Sequence, residues 1–354
     1  MPLTVLSVSY PLARVSENTA GGAEQVLAIL DEALVRCGHR SLVLAAAGSR
    51  CSGLLIPAQF PTGILDENAK QEARRTLKRL LNRALAHYRV DVVHVHGLDF
   101  SEYLPDCNIP VVVSLHLPLS WYETEALKSA AASYRTLVCV SKTQARSAPS
   151  DVHIDRVIPN GINLERFSPA RKKGNYALAM GRICPEKGFH SALDAAERAD
   201  VELILAGNVF AYPEHQSYFD SMIRPRLGRN ARFIGAVGGE RKAHLLAGTR
   251  CLLAPSLVPE TSSLVAMEAI ASGTPVIAWR GGALPEIVSD GRTGFLVNSV
   301  EQMADAISRV ESIDPGLCRA EAERRFSSER MIADYLNLYH SILASTKMPE
   351  LEAA

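Results

Sequence analysis

Short apolar runs alternate along the chain with segments whose apolar residues recur at helical spacing. "TVLSVS" (residues 4–9) is followed by "AEQVLAILDEALVRCG", a helical pattern that Gly38 ends. Then come "SLVLAA", a long helix from about residue 67 to 88, "VDVVHVHG", "IPVVVSLH" and "TLVCVS". A second series runs "YALAMG", "VELILAG", "RFIGAV", "CLLAPS", "PVIAW" and "GFLV", again with helical stretches between. The strand candidates are continuously apolar instead of alternating, so they are buried on both faces. That pattern predicts parallel sheets wound with helices. The polar, basic gap "SPARKKGN" (residues 168–175) separates the two series and reads as a linker. We therefore expect two doubly wound domains joined near residue 168. A last helix, "SERMIADYLNLYHSIL", lies beyond both sheets.

Composition narrows this picture. A chain of 354 residues exceeds one ordinary core. Lys+Arg and Asp+Glu balance at 38 each, which argues against a chain devoted to nucleic acid. No apolar run reaches the length of a membrane span. The start, "MPLTVLSVSYP", lacks a basic stretch and reads as a first strand, not as a signal peptide. The seven Cys are scattered and never in CxxC spacing, which suits reduced thiols in a cytosol. Cys139 and Cys251 sit inside apolar strands as small core residues.

In open α/β sheets, ligands bind where strands end and helices begin. At the first such junction, "NTAGGAEQ", Gly21 and Gly22 let backbone amides approach a phosphate at the positive end of a helix. GxGxxG is absent, and "SLVLAAAG" ends without an acid to hold a ribose, so a dinucleotide site is disfavoured. At "AMGRICPEKGF", Pro185 suits a first helical turn, and Arg182 and Lys187 can neutralise a diphosphate together. At "VPETSSLVAME", Glu260 precedes a helix that Thr261 or Ser262 can cap and Gly273 ends. The amides of Ser263 and Leu264 then favour a phosphate, with Glu260 and Glu268 placed to grip hydroxyls on either side. His116 ends the strand "VVVSLH". His94 and His96 share a strand face, but no third metal ligand stands at suitable spacing, and no metal is assigned.

Together, "GGAE", "SLH", "VIPNGIN", "GRICPEKG" and "PETSSLVAMEAIASGTPVIAWRGGALPEIVSDGRTGFLV" resemble the retaining glycosyltransferases of the GT-B fold, family 4. The likeness spans nearly the whole chain and is strongest over residues 175–297. The chain departs from many members in having Ser262 and Ser263 where a Phe-Gly pair follows the first glutamate. The resemblance implies an α/β fold of two Rossmann-like domains facing a central cleft. The first (residues 1–168) is the acceptor side, completed by 328–354; the second (169–327) binds a nucleotide-sugar donor. It further implies that Arg182 and Lys187 bind the diphosphate with the Gly22 amide opposite and Gly21 beside it. The Ser263 and Leu264 amides, with Ser262 adjacent, meet phosphate as well. Glu268 holds ribose, Glu260 the donor sugar, His116 the sugar near the reacting centre, and Ile234 to Val237 the base. The activity expected is metal-independent, cofactor-free transfer of a hexosyl group, UDP-glucose-like by preference, to a hydroxyl acceptor. A GDP-mannose donor is the alternative.

A nucleotide-sugar epimerase, a two-domain solute-binding protein and a dehydrogenase are rival readings. The pairing of "GRICPEKG" with the spaced glutamates favours the transferase. Loops within "GSRCSGLLIPAQFPTGILDEN" are expected to line the acceptor site. The helix at 68–89 carries Arg75, Lys78, Arg79, Arg83 and Arg89 away from its apolar face. That suits a scaffold helix with a solvated face, or peripheral contact with an anionic membrane. A cytoplasmic location, extending to the inner face of the membrane, is the corresponding expectation.

Overall fold

The structure is a computed structural model that describes residues 2–19, 21–60, 66–105, 108–130 and 135–347. The chain divides into two compact units, Met1–Asn160 with Glu329–Ala354, and Gly161–Ser328.

The first unit contains strands β1 (Thr4–Val8), β2 (Arg40–Ala46), β3 (Leu54–Ala58), β4 (Val92–Val95), β5 (Val111–Leu115), β6 (Arg135–Cys139) and β7 (Arg156–Val157). Helices α1 (Gly22–Arg36), α2 (Glu67–His87), α3 (Thr124–Ala130) and α4 (Lys142–Arg146) connect them. The sheet order is β3-β2-β1-β4-β5-β6-β7, parallel throughout. The order reverses between β1 and β4, which opens a crevice at their carboxyl ends. The apolar runs fill the core: Leu6, Val8, Leu42, Leu44, Val93, Val95, Val113 and Leu115 are fully buried under Leu77 and Leu81 of α2. Gly38 closes α1 at φ +76°, with its amide on Val35 O and the next amide on Leu34 O.

The second unit contains β8 (Tyr176–Met180), β9 (Glu202–Ala206), β10 (Ala231–Phe233), β11 (Cys251–Ala254), β12 (Val276–Trp279) and β13 (Gly294–Val297). Its helices are α5 (Phe189–Arg198), α6 (Pro213–Tyr218), α7 (Gly239–Gly248), α8 (Leu264–Ala271), α9 (Leu284–Ile287), α10 (Val300–Arg309) and α11 (Pro315–Arg325). Sheet order is β10-β9-β8-β11-β12-β13, again all parallel, with the reversal between β8 and β11. The last helix, α12 (Ser328–Lys347), packs on the first unit, with Tyr335 and Tyr339 buried there.

Two expectations need correction. The unit boundary falls at Asn160–Gly161, before residue 168. The segment between belongs to the second unit because that unit satisfies its backbone. Ile162 bridges Ser327, and Arg319 donates to the carbonyls of Leu164 and Phe167. Lys173 is drawn in the same way onto Ala247 O at 2.8 Å and Thr274 Oγ1 at 2.5 Å. Secondly, "LLIPA", read as part of an acceptor loop, is an edge strand. Pro57 is tolerated there because β3 pairs on one side only, opposite Ala45. Residues 61–65 of that stretch lie outside the described residues.

Candidate active site

In the second unit, the loops after β8 and β11 meet at the point where strand order reverses. Gly181, at φ +155°, turns the chain out of β8 into Arg182, and Pro185 opens a single 3-10 turn ahead of α5. Gly188 follows at φ +61°, and a side chain there would come within 2.3 Å of Pro255 O. The Leu257 amide donates to Glu186 O at 2.8 Å. The two loops are thus laced through their backbones. Across this seam Lys187 Nζ donates to Glu260 Oε1 at 2.5 Å, and Ser256 Oγ donates to the same oxygen. The cation expected on a diphosphate and the carboxylate expected on a sugar are therefore ion-paired with each other. Arg182 is half-buried and has no ion pair among the described residues.

The start of α8 differs from expectation. The N-cap is Ser263, not Thr261 or Ser262, and its own side chain makes no cap hydrogen bond. The cause lies in the preceding segment. Glu260 O accepts from the Ala283 amide at 2.6 Å, and Gly282 packs so closely that a Cβ would lie 2.4 Å from Glu260 N and O. This clamp holds the chain extended past Ser262, whose buried hydroxyl has no partner. Helix α8 therefore begins without a side-chain cap from Ser263 and with no acid in its first turn, so its positive end favours an anion.

Just over one turn in, Glu268 is almost fully buried. Its Oε1 accepts from Lys242 Nζ at 2.6 Å, while Oε2 has no partner. Lys242 comes from α7 and went unrecognised in the sequence; a signal existed, since an acid inside an apolar helix needs a cation nearby. Ser256 was missed as well. The segment of Ile234 and Val237 follows β10, where the Ile234 amide bonds Leu205 O at 3.0 Å and Gly207 bonds Gly235 O at 2.9 Å. That places it beside the carboxyl end of β9.

Comparison with known proteins decides the family. "Glycosyl transferases group 1" matches residues 162–328 and "Glycosyltransferase Family 4" matches residues 20–166. The chain is a family 4 glycosyltransferase of the GT-B fold.

The phosphatidyl-myo-inositol mannosyltransferase of Mycobacterium leprae is 25% identical over 93% of this chain and 96% of its own. The D-inositol 3-phosphate glycosyltransferase of Saccharomonospora viridis is 30% identical over 56% of this chain and 53% of its own. Among solved structures, AviGT4, a glycosyltransferase involved in avilamycin A biosynthesis, superposes with TM-score 0.72 at 26% identity, covering 97% of this chain and 98% of its own. HepE of Anabaena, solved with UDP-glucose, shares the fold at TM-score 0.74 and 20% identity, covering 95% of this chain and 99% of its own.

The first unit of the glycosyltransferase carries the remaining sequence-predicted residues. Gly21 is the N-cap of α1 with extended backbone, and Gly22 opens the helix. Glu24, buried in the first turn, reaches back so far that a Cβ on Gly21 would strike its carboxylate. His116 follows β5, and its Nε2 lies 2.9 Å from His96 Nδ1 with the rings stacked at 13°. His94, on the same face of β4 as His96, uses both ring nitrogens, on Tyr339 Oη at 2.7 Å and Ser114 Oγ at 2.8 Å. Ser114 Oγ in turn meets Tyr335 Oη at 2.8 Å. With both lone-pair positions engaged, His94 has none for a metal. Burial holds these imidazoles neutral: it lowers His94 to about 3 and His116 to about 4, and pushes His96 well below its ordinary value. The sequence flagged the histidines but not the α12 tyrosines, whose pairing with them spans more than 200 residues.

Proposed function

We propose that this glycosyltransferase moves a hexosyl group, with retention of configuration, from a UDP-sugar of the UDP-glucose type to a hydroxyl acceptor, without a metal ion. The observation that carries the proposal is the combination at the strand reversal of the second unit. There lie the start of α8, without a side-chain cap from Ser263, an Arg182 with no ion pair among the described residues, and a buried Glu268 with one unpartnered oxygen. This set matches a nucleoside diphosphate: Arg182 and the amides of Ser263 and Leu264 take phosphate oxygens, and Glu268 Oε2 accepts from a ribose hydroxyl. Ile234 and Val237 flank the base.

Lys187 and Glu260 extend the same logic to the reacting end. When the donor arrives, Lys187 turns toward the leaving phosphate, and Glu260 accepts from hydroxyls of the sugar. The acceptor oxygen attacks C1 on the face that the diphosphate leaves. The new C–O bond forms as the C1–phosphate bond breaks, and the acceptor proton passes to the departing phosphate oxygen. Arg182, Lys187 and the α8 amides stabilise the charge developing there, the task a divalent ion would otherwise perform. HepE, solved with UDP-glucose, supports the uridine and glucose assignments at the level of fold.

A mannosyl donor of the GDP-mannose type is the second reading, favoured by the mannosyltransferase relative that spans nearly the whole chain. A hydrolysis screen over UDP-, GDP- and ADP-sugars in excess EDTA decides between them. We expect UDP-glucose to be cleaved fastest, and the rate to be unaffected by the chelator. Preference for GDP-mannose establishes the second reading, and loss of activity restored by manganese rejects metal independence. The anomeric coupling of the transfer product, read by NMR, tests retention.

A further inference from the structure

The loop that carries Arg182 and Lys187 also carries Cys184 and Glu186, which no step above uses. His215 of α6 packs against them. One ligand atom from each of Cys184, Glu186 and His215 lies within 4.8 Å of the others. Cys184 is fully buried, His215 is 9% exposed, and the buried His215 Nδ1 has no hydrogen-bond partner. The Cys184 thiol lies 3.6 Å from Arg182 O and is hydrogen-bonded to the Glu186 carboxylate as well, within the cluster. A thiol, a carboxylate and an imidazole facing one another form a mixed S, O, N ligand set of the kind that selects zinc.

We propose that Cys184, Glu186 and His215 form a binding site for a zinc-class divalent cation, with water as the fourth ligand. Zinc–ligand bonds of about 2.0–2.3 Å put tetrahedral ligand atoms about 3.3–3.6 Å apart. The ligand atoms, all within 4.8 Å of one another, therefore have to close by at most about 1.5 Å, a side-chain adjustment. Binding breaks the Cys184 S–H bond and forms a metal–thiolate bond, and the proton goes to solvent. Charge balances within the site. The ion's two positive charges meet one from the thiolate and one from Glu186, with His215 neutral. This matters because Arg182 lies close enough to act on Glu186 and His215 electrostatically. With the ion's charge met inside the site, its binding leaves the Arg182 guanidinium, which has no ion pair among the described residues, able to meet an anion as before. The site is thus a metal-responsive support for the loop, separate from the chemistry of transfer.

Cobalt(II) titration of the whole protein, without any donor, provides the test, because a thiolate ligand gives a charge-transfer band. We expect a band that saturates at one equivalent and is bleached by zinc. Substituting Cys184→Ser abolishes it, while His215→Ala and Glu186→Gln move saturation to higher cobalt, and circular dichroism shows each variant folded. A Cys37→Ser/Cys51→Ser/Cys107→Ser triple variant keeps the band. Absence of a band in the folded wild-type protein, its persistence in Cys184→Ser, or an unchanged titration in both His215→Ala and Glu186→Gln overturns the proposal. None of these readouts depends on the donor, so their failure leaves the transferase reading standing.

Discussion

At the scale of single residues, the two glutamates of "PETSSLVAME" differ in environment, and that difference predicts a difference in function. Glu260 is held at the seam by Lys187 and Ser256, whereas Glu268 is buried with one oxygen satisfied and one open. Glu268→Ala is therefore expected to weaken binding of bare UDP. Glu260→Ala leaves that binding near wild type and lowers transfer instead. Calorimetry with UDP, set beside transfer rates, separates the two, and equal losses in both variants reject the division. Arg182→Ala is expected to lower turnover about 100- to 1000-fold, the usual effect of removing one donor that stabilises developing charge. Near wild-type turnover in that variant removes Arg182 from the leaving-group role. The residue types at this site were legible because each strand-to-helix junction could be read in turn. Their partners were not. Lys242 and Ser256 reach Glu268 and Glu260 through packing of α7 on α8 and through a loop fold, neither of which leaves a spacing rule in the chain.

At the scale of elements, eleven of the thirteen strands announced themselves as apolar runs, since a strand buried on both faces has no polar face to blur the pattern. The two that did not, β3 and β7, are edge strands, half-exposed or only two residues long. The start of α8 was misplaced for a different reason: its boundary is set by Gly282 and Ala283 pressing on Glu260, a tertiary effect that local capping preferences cannot reveal. Helix α2 shows the opposite case, a pattern that survives folding. Ala73, Leu77, Leu81 and Ala84 are buried, and Arg75, Lys78, Arg79 and Arg83 are exposed with no ion pair among the described residues. Arg74, by contrast, is engaged by Asp99 at 2.9 Å and Glu67 at 3.1 Å. The exposed row is a concentrated positive charge on a rigid rod. We expect it to draw the protein to anionic vesicles at low salt, by about 1 kcal/mol per cation near the surface and with strong screening by salt. Sedimentation with phosphatidylserine vesicles measures this. Loss of binding in Arg75→Ala/Arg79→Ala/Arg83→Ala assigns it to α2, and absence of binding by the wild type leaves the helix as scaffold. No helix among the described residues is long and apolar enough to cross a membrane.

At the scale of the whole molecule, the two units differ in how they store titratable groups, and that sets how the protein responds to acid. Burial lowers four imidazoles in the first unit, His39, His94, His96 and His116, and two in the second, His190 and His215. His94 and His96 are the extreme cases, 0% and 3% exposed and locked between β4, β5 and the α12 tyrosines. An imidazole whose folded pKa lies below its unfolded value contributes full stability above the unfolded value, about 6.5, and loses it as pH falls toward the folded one. The unfolded chain takes up protons there and the folded chain does not, so acid favours unfolding. Each of the three fully buried imidazoles, His94, His96 and His116, costs about 1.4 kcal/mol per pH unit between 6.5 and its lowered folded value, about 4 kcal/mol per unit together. The first unit is therefore expected to lose stability more steeply than the second between pH 6 and pH 4. The two tryptophans allow the units to be followed separately, since Trp121 lies in the first and Trp279 in the second. Urea unfolding of Trp279→Phe reports the first unit, and that of Trp121→Phe the second. His94→Gln in the Trp279→Phe background should reduce the acid slope of the first unit by about a third, whatever its effect on stability at pH 7, because one of its three most strongly lowered imidazoles, His94, His96 and His116, is gone. Equal acid slopes in the two units, or a slope untouched by His94→Gln, would show that these histidines are not the source of the acid response.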